Sequence, residues 1–503
     1  MSHNRMSSLL ELNIDSSAAA ALGHEYAARF TVLPIKREDG RLFVAMSEPF
    51  DVQVLRNLAD ITNMYITPIA ASETDIRFHI NRIFGEVAIH SIASQFLVDE
   101  KLKARAIPSD PALLAQISAA PAVRLIDSLI ETGVLTRASD IHIEPYGRHL
   151  RARYRVDGEL IIFGHVDLLL LPNVISRLKI MGDMDIAERR LPQDGHFSMT
   201  ILDVAVEFRL STIPTICGEK AVIRLLYNQS AQLKKDELGL FDDDLAAITR
   251  LFSQPYGAVF MTGPTGSGKS TTLSSFLEEL NDGRTNIVTV EDPVERPLPG
   301  VNHINIEPAA GLGFATALKH ILRQDPDVIM IGEIRDEETA RIAIQAAITG
   351  HLVLSTLHTN DAAGIIERLT DMGIEPYLTA AALNGVISQR LVRRVCEDCA
   401  KEAVLTPRDA TFLGTKVGLP IRDAVGCKHC NETGYHGRIA VYEYFVMDES
   451  LRRAMITDPA AFARNVRTGQ SLRANALRHL AAGHTTVQEV LRVLSRDMPN
   501  EMM

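Results

Sequence analysis

The stretch "GAVFMTGPTGSGKSTT", residues 257–272, decides the fold of the second half of this chain. An apolar strand leads into Gly263-Pro264-Thr265-Gly266-Ser267-Gly268-Lys269-Ser270, which fits G-x-x-x-x-G-K-[ST] at every fixed position. The pattern has chemical meaning when a strand ends at Gly263 and a helix begins near Lys269. Glycines then let backbone N–H groups curl around phosphate oxygens, and the helix N-terminus adds partial positive charge. Lys269 is expected to bridge the β- and γ-phosphates of a nucleotide and Ser270 to coordinate Mg²⁺, with Thr271 in the same binding set. The N-K-x-D sequence that reads guanine is absent, so ATP is the expected nucleotide.

Outward from this loop, strands and helices alternate. Strands are read at "NIVTVED" (286–292), "VIMIGE" (328–333) and "LVLSTLH" (352–358), and helices at "DEETARIAIQAAIT" (336–349) and "DAAGIIERLTDM" (361–372). Such alternation predicts a mostly parallel sheet with helices on both faces. The helix over 336–349 is apolar nearly all round and is expected to be buried. The strand "VIMIGE" ends in Gly332-Glu333, where many phosphate-loop proteins place a metal-holding Asp.

With 503 residues the chain is long enough for two to four domains. Its net charge of -11 argues against a chain-wide nucleic-acid footprint, which needs clustered Lys and Arg. The most apolar stretch, residues 160–175, is broken by Asp167 and Pro172 and cannot span a bilayer. No secretory signal is read at the N-terminus, so a cytoplasmic chain is expected, with any membrane contact made through a partner. Four of the five cysteines form C-x₂-C-x₂₇-C-x₂-C through Cys396, Cys399, Cys427 and Cys430. Four thiolates in that spacing suit a closed, structural Zn²⁺ site. Cys217 stands alone and is expected in the packed interior.

Residues 1–102 read as a small α+β docking module, with a hairpin turn at Asp39-Gly40 and a capping box of Ser72 and Asp75. Residues 103–123, rich in Ala and Pro, read as a linker with one or two helical turns. A second domain covers 124–232. There "HLRARYRV" (149–156) alternates strictly and is followed by Asp157-Gly158, a two-residue hairpin signal. Alternation in "VAVEFRLS" (204–211) and "EKAVIRLL" (219–226) puts Arg209 and Arg224 on polar strand faces, while Arg151, Arg153 and Arg155 read as a charged sheet face. The third domain covers 240–503, with the cysteine insertion at about 390–438.

Eight ordered blocks carry a family resemblance: "ASDIHIEP" (138–145), "RYRVDG" (153–158), "GPTGSGKSTT" (263–272), "VEDPVE" (290–295), "RQDPDVIMIGEIRD" (323–336), "TGHLVLSTLHTNDA" (349–362), "QRLVRRVCEDC" (389–399) and "GCKHCNETGYHGR" (426–438). The chain resembles the ATPases that power type II secretion, close relatives of the type IV pilus assembly ATPases. The resemblance implies a RecA-like P-loop ATPase core, an α+β second domain, a small α+β N-terminal docking domain and a four-cysteine zinc-knuckle insertion. By position it implies Glu333 as the catalytic glutamate and His358 as a γ-phosphate sensor, with Glu291 and Asp292 as water-mediated Mg²⁺ contacts. It further implies that Arg209 and Arg224 close over the nucleotide. Arg323 and Arg335 are softer candidates, and His351 is weaker because it lies at a helix-to-strand turn. The implied assembly is a homo-hexamer. Its implied partners are an inner-membrane platform protein and a membrane-anchored protein that holds the N-terminal domain through its cytoplasmic part. No nucleic acid is implied. A pilus assembly motor, a DNA-handling motor and an ATP-switched scaffold are the alternatives. No tandem R-L-G-type motif is seen in residues 1–100.

Overall fold

The computed structural model describes residues 31–71, 111–201, 204–227, 233–359, 361–458 and 471–494, with position 39 excepted and a few single positions besides. The chain divides into two compact units, made mainly of residues 1–229 and of residues 230–503.

In the first unit β1 (Val32–Glu38), β2 (Arg41–Met46) and β3 (Tyr65–Ala70) form a three-stranded sheet in that order. Glu38 pairs with Arg41 across the expected hairpin. β2 runs parallel to β3, the two joined through the helix Val52–Thr62. Asp51 starts that helix by accepting from the N–H groups of Gln53 and Val54 at 2.9 and 3.1 Å. The capping box at Ser72 and Asp75 lies outside the described residues. Helix in the segment read as a linker is longer than the one or two turns expected: residues 111–123 form the first half of the helix Pro111–Leu135. Proline at the first helical position is pre-set for a helix, and the Ala- and Leu-rich run that follows has high helix propensity.

The same unit holds a six-stranded antiparallel sheet of β4 (Asp140–Tyr146), β5 (His149–Val156), β6 (Glu159–Asp167), β7 (Gln193–Ile201), β8 (Val204–Thr215) and β9 (Gly218–Tyr227), in the order β6-β5-β4-β9-β8-β7. Asp157 and Gly158 turn with φ of 48° and 91°, the positive pair that a two-residue hairpin requires. Leu150, Ala152 and Tyr154 join the core beneath the sheet, with residues of the helices Pro111–Leu135 and Leu171–Met181. On the other face Arg151 and Arg153 pair with Glu144 at 2.8 and 2.7 Å, as expected of a charged sheet face. Cys217 is exposed, not buried, because it sits in the tight β8–β9 turn rather than on a strand.

The second unit is built on β10 (Gly257–Thr262), β11 (Ile287–Glu291), β12 (Asn302–Asn305), β13 (Val328–Ile331), β14 (Leu352–Leu357), β15 (Leu383–Val395) and β18 (Tyr435–Val446), in the order β12-β11-β13-β14-β10-β15-β18. All neighbours are parallel except β15 and β18. A separate ribbon pairs β16 (Lys401–Val404) with β17 (Pro420–Asp423). β10 is buried along its whole length, with Ala258 and Phe260 in one core and Val259 and Met261 in the other. Burial on both faces is why the strand reads as a continuous apolar run. The helix Glu337–Ile348 buries Ala340, Ala343, Ile344, Ala346 and Ala347, as its composition predicts. Among the described residues no helix is long and apolar enough to cross a membrane.

Asp244 locks this unit together. The carboxylate is 1% exposed and accepts from Tyr444 Oη at 3.1 Å, Asn475 Nδ2 at 3.0 Å and Arg478 Nη1 at 3.0 Å. Asp244→Ala would leave Tyr444 and Asn475 without this acceptor in the interior, while Arg478 keeps Asp243. It is expected to lower unfolding free energy by about 2–3 kcal/mol, read from urea denaturation against wild type.

Candidate nucleotide-binding site and cysteine cluster

The phosphate loop leaves the end of β10, and its helix begins at Lys269 and runs to Leu280. Lys269 is 8% exposed and donates from Nζ to the carbonyls of Gly263 at 2.8 Å and Pro264 at 3.2 Å. Burial brings its pKa down to about 8, with Glu333 opposing the shift and Arg390 adding to it. Pro264, Thr265, Gly266 and Ser270 are exposed and Thr271 is partly so, which leaves the outer side of the loop open to a ligand. Ser270 stands in the first helical turn, where its hydroxyl suits Mg²⁺.

Three strand ends of the parallel sheet supply acids and a histidine beside this loop. Glu333, just after β13, accepts from Arg335 Nη2 and lies 3.3 Å from His358 Nε2. The Arg335 hydrogen bond holds the Glu333 carboxyl below its usual range against the opposing effect of burial, and the charges of Arg335 and His358 help. Glu333 is therefore a carboxylate at neutral pH. Arg335 also faces Asp292 at 3.6 Å, so it bridges the two acidic blocks within one chain. Glu291 ends β11, and its Oε1 accepts from Thr289 Oγ1 at 2.7 Å. His303 Nε2 accepts from the Leu298 N–H at 2.9 Å, so Nδ1 carries the proton that faces Glu291 Oε1 at 3.0 Å. One Glu291 oxygen is thus committed to the protein, leaving Oε2 for a hydrated cation.

Gly332 is not there for backbone reasons. Its φ lies outside the left-handed region, and a Cβ would touch Glu291 Cα and Val290 O at 3.4 Å, an ordinary contact. A longer acid at 332 would, however, set a second carboxylate beside Glu291.

In the first unit, Arg209 and Arg224 pair directly across β8 and β9. They line a cavity of about 610 Å³ on the outer sheet face with Asp194, His196, Glu207 and Ser211. Arg224 is held by Asp140 at 3.0 Å, whereas Arg209 has no ion pair among the described residues. Arg323 meets His320 at 2.7 Å, and His351 Nδ1 lies 3.0 Å from the Ala346 carbonyl, a structural contact at a helix end.

The Sγ atoms of Cys396, Cys399, Cys427 and Cys430 all lie within 4.8 Å of one another. Cys427 and Cys430 stand 3.7 Å apart, and a tetrahedral thiolate site with bonds near 2.3 Å requires about 3.8 Å. The N–H groups of Gly426 and Cys427 donate to the sulfurs of Cys399 and Cys430 at 3.3 and 3.1 Å, as thiolates favour. The four residues fit a metal ion.

Residues 115–492 match the family described as Type II/IV secretion system protein, and residues 6–90 match the MshEN domain. The chain belongs to the type II/IV secretion system protein family. A type IV pilus assembly ATPase, PilB of Myxococcus xanthus, is 40% identical over 96% of this chain and 88% of its own length. The type II secretion system protein HxcR of Pseudomonas aeruginosa is 46% identical over 77% of this chain and 80% of its own. Type II secretion system protein E of Xanthomonas campestris is 39% identical over 94% of this chain and 84% of its own. Among solved structures, the Yersinia pseudotuberculosis ATPase DotB aligns with a TM-score of 0.56 at 20% identity, over 74% of this chain and 93% of its own. The pilus retraction motor PilT aligns at 0.50 with 24% identity, over 74% and 96%. These two place the RecA-like fold.

Sequence reasoning missed the support behind this secretion-family site. Thr289 and His303 around Glu291 carry no motif of their own, and neither does Gln389 beneath the phosphate loop. The only sequence signal was that Gln389 opens the block "QRLVRRVCEDC". The cysteine geometry predicts one metal equivalent per purified chain by elemental analysis, lost in Cys430→Ser together with a lower melting temperature.

Proposed function

We propose that this chain is an ATPase that powers assembly of the type II secretion pseudopilus, and with it protein export across an outer membrane. The observation that carries the reading is a phosphate loop whose buried Lys269 feels the charge of Glu333, itself an ionised carboxylate held by Arg335 and His358. Secretion-system names among relatives at 39–46% identity support the branch. A type IV pilus extension motor is the second reading, favoured by the PilB relative that covers nearly the whole chain.

In this reading the N–H groups of residues 265–271 and Lys269 hold the phosphates of ATP. Glu333 orients the attacking water and accepts its proton, while His358, on the same carboxylate, reports the γ-phosphate. Ser270 would hold Mg²⁺ with water-mediated help from Glu291 and Asp292, and the ion would neutralise developing phosphate charge. Arg209, with no carboxylate partner among the described residues, and Arg224, held by Asp140, are the two arginines assigned to stabilise that charge. Cys396, Cys399, Cys427 and Cys430 hold structural zinc. The motor works as a cytoplasmic hexamer. Residues 1–102 dock a membrane-anchored protein's cytoplasmic part, and an inner-membrane platform protein receives the motion.

Glu333→Gln is expected to lower multiple-turnover hydrolysis by roughly a hundredfold or more while MgATP affinity stays within about threefold. Equal turnover in wild type and variant would count against the mechanism. The pH dependence follows from Lys269: the free protein loses this proton as pH rises through about 8, whereas a phosphate-bound lysine carries it. Affinity for MgATP should therefore be full below that value and fall above it, approaching about tenfold per pH unit, in titrations from about pH 7 to 9.5.

A further inference from the structure

Residue 389 fills the back of the phosphate loop. The Gln389 side chain is 1% exposed, and both ends of its carboxamide are taken up by the loop and its helix. Nε2 donates to the Ser267 carbonyl at 2.7 Å, and Oε1 accepts from Thr272 Oγ1 at 2.9 Å. Two glycines of the motif are moulded to the same residue. At Gly263, φ +141°, a Cβ would fall 2.4 Å from the Gln389 carbonyl oxygen, and at Gly268, φ +84°, it would fall 2.8 Å from Gln389 Nε2. The motif therefore needs glycine at these two places because residue 389 lies beneath them, as well as for its curl.

The direction of one peptide follows. In a planar trans peptide the C=O and the N–H point in opposite directions. Holding the Ser267 carbonyl on the back of the loop turns the Gly268 N–H to the front, where an anion sits. An anion cradle works only when its carbonyls face away, since each one turned forward sets a negative dipole against phosphate. The Ser267 carbonyl, which can only accept, selects the NH₂ end of the amide, and the Thr272 hydroxyl then pins the other end by donating to Oε1. We propose that Gln389 is a positioning residue for nucleotide binding, which sets the orientation of the Ser267–Gly268 peptide in the phosphate cradle.

The inference rests on loop 263–270 being the nucleotide site. The test measures MgATP affinity, KM, kcat and nucleotide-free melting temperature for the full chain, Gln389→Met and Thr272→Val. Gln389→Met keeps the bulk and removes both hydrogen bonds. It is expected to weaken affinity and raise KM by about tenfold, with kcat at saturation within about threefold of wild type. Thr272→Val keeps the contact to Ser267 but unpins the amide, and is expected to weaken affinity by about two- to threefold. Gln389→Glu, which turns a carboxylate oxygen on the Ser267 carbonyl, should bind no better than Gln389→Met. A folded Gln389→Met with wild-type affinity and KM overturns the inference. Should Gln389→Met fail to fold, Thr272→Val decides: a loss of affinity supports the inference and wild-type affinity overturns it. Wild-type protein that binds no MgATP would instead refute the nucleotide site, and the inference with it.

Discussion

A loop that holds phosphate must turn its N–H groups forward and its carbonyls back, and the rest of the second unit is arranged around that constraint. β10 lies between β14 and β15, and parallel register sets Thr262 against Ser388. Gln389 therefore arrives under the loop at the point where β10 ends. The strands flanking β10 are buried and aligned by backbone hydrogen bonds, so the loop inherits its shape from the sheet rather than from its own few contacts. Lys269, lacking bulk water, satisfies itself on the carbonyls of Gly263 and Pro264 and keeps its side chain along the loop.

The same parallel sheet explains why the acids meet. β11, β13 and β14 all point the same way, so Glu291, Glu333 and His358 emerge together beyond the carboxyl ends, where open α/β sheets bind ligands. The charges are divided by environment. Arg335 keeps Glu333 ionised, and Thr289 with His303 fixes one oxygen of Glu291. Gly332 sits between them and spares the site a further carboxylate.

Much of this was legible in the sequence, for local reasons. The phosphate loop, the Asp157-Gly158 hairpin and the alternating arginine strand are short-range patterns whose physics is complete within a few residues. The cysteine cluster was legible from spacing alone. Gln389 was not, because its partners Ser267 and Thr272 lie 122 and 117 residues away and only strand order brings them together. His303 is only 12 residues from Glu291, but it carries no motif and meets that acid through the parallel pairing of β11 with β12. Cys217 was misread because residue type suggested burial where the turn dictated exposure. The helix over residues 111–123 was read too short because Pro signals a break in sequence yet also opens helices.

The most direct test of the central claim is a structure of the full chain with Mg²⁺ and a non-hydrolysable ATP analogue. The account predicts phosphate oxygens on the N–H groups of residues 265–271 and Lys269 Nζ transferred from the Gly263 and Pro264 carbonyls to phosphate. It also predicts a Ser267 carbonyl still held by Gln389. A nucleotide bound elsewhere, or a Ser267–Gly268 peptide flipped with its carbonyl toward the phosphates, would contradict it.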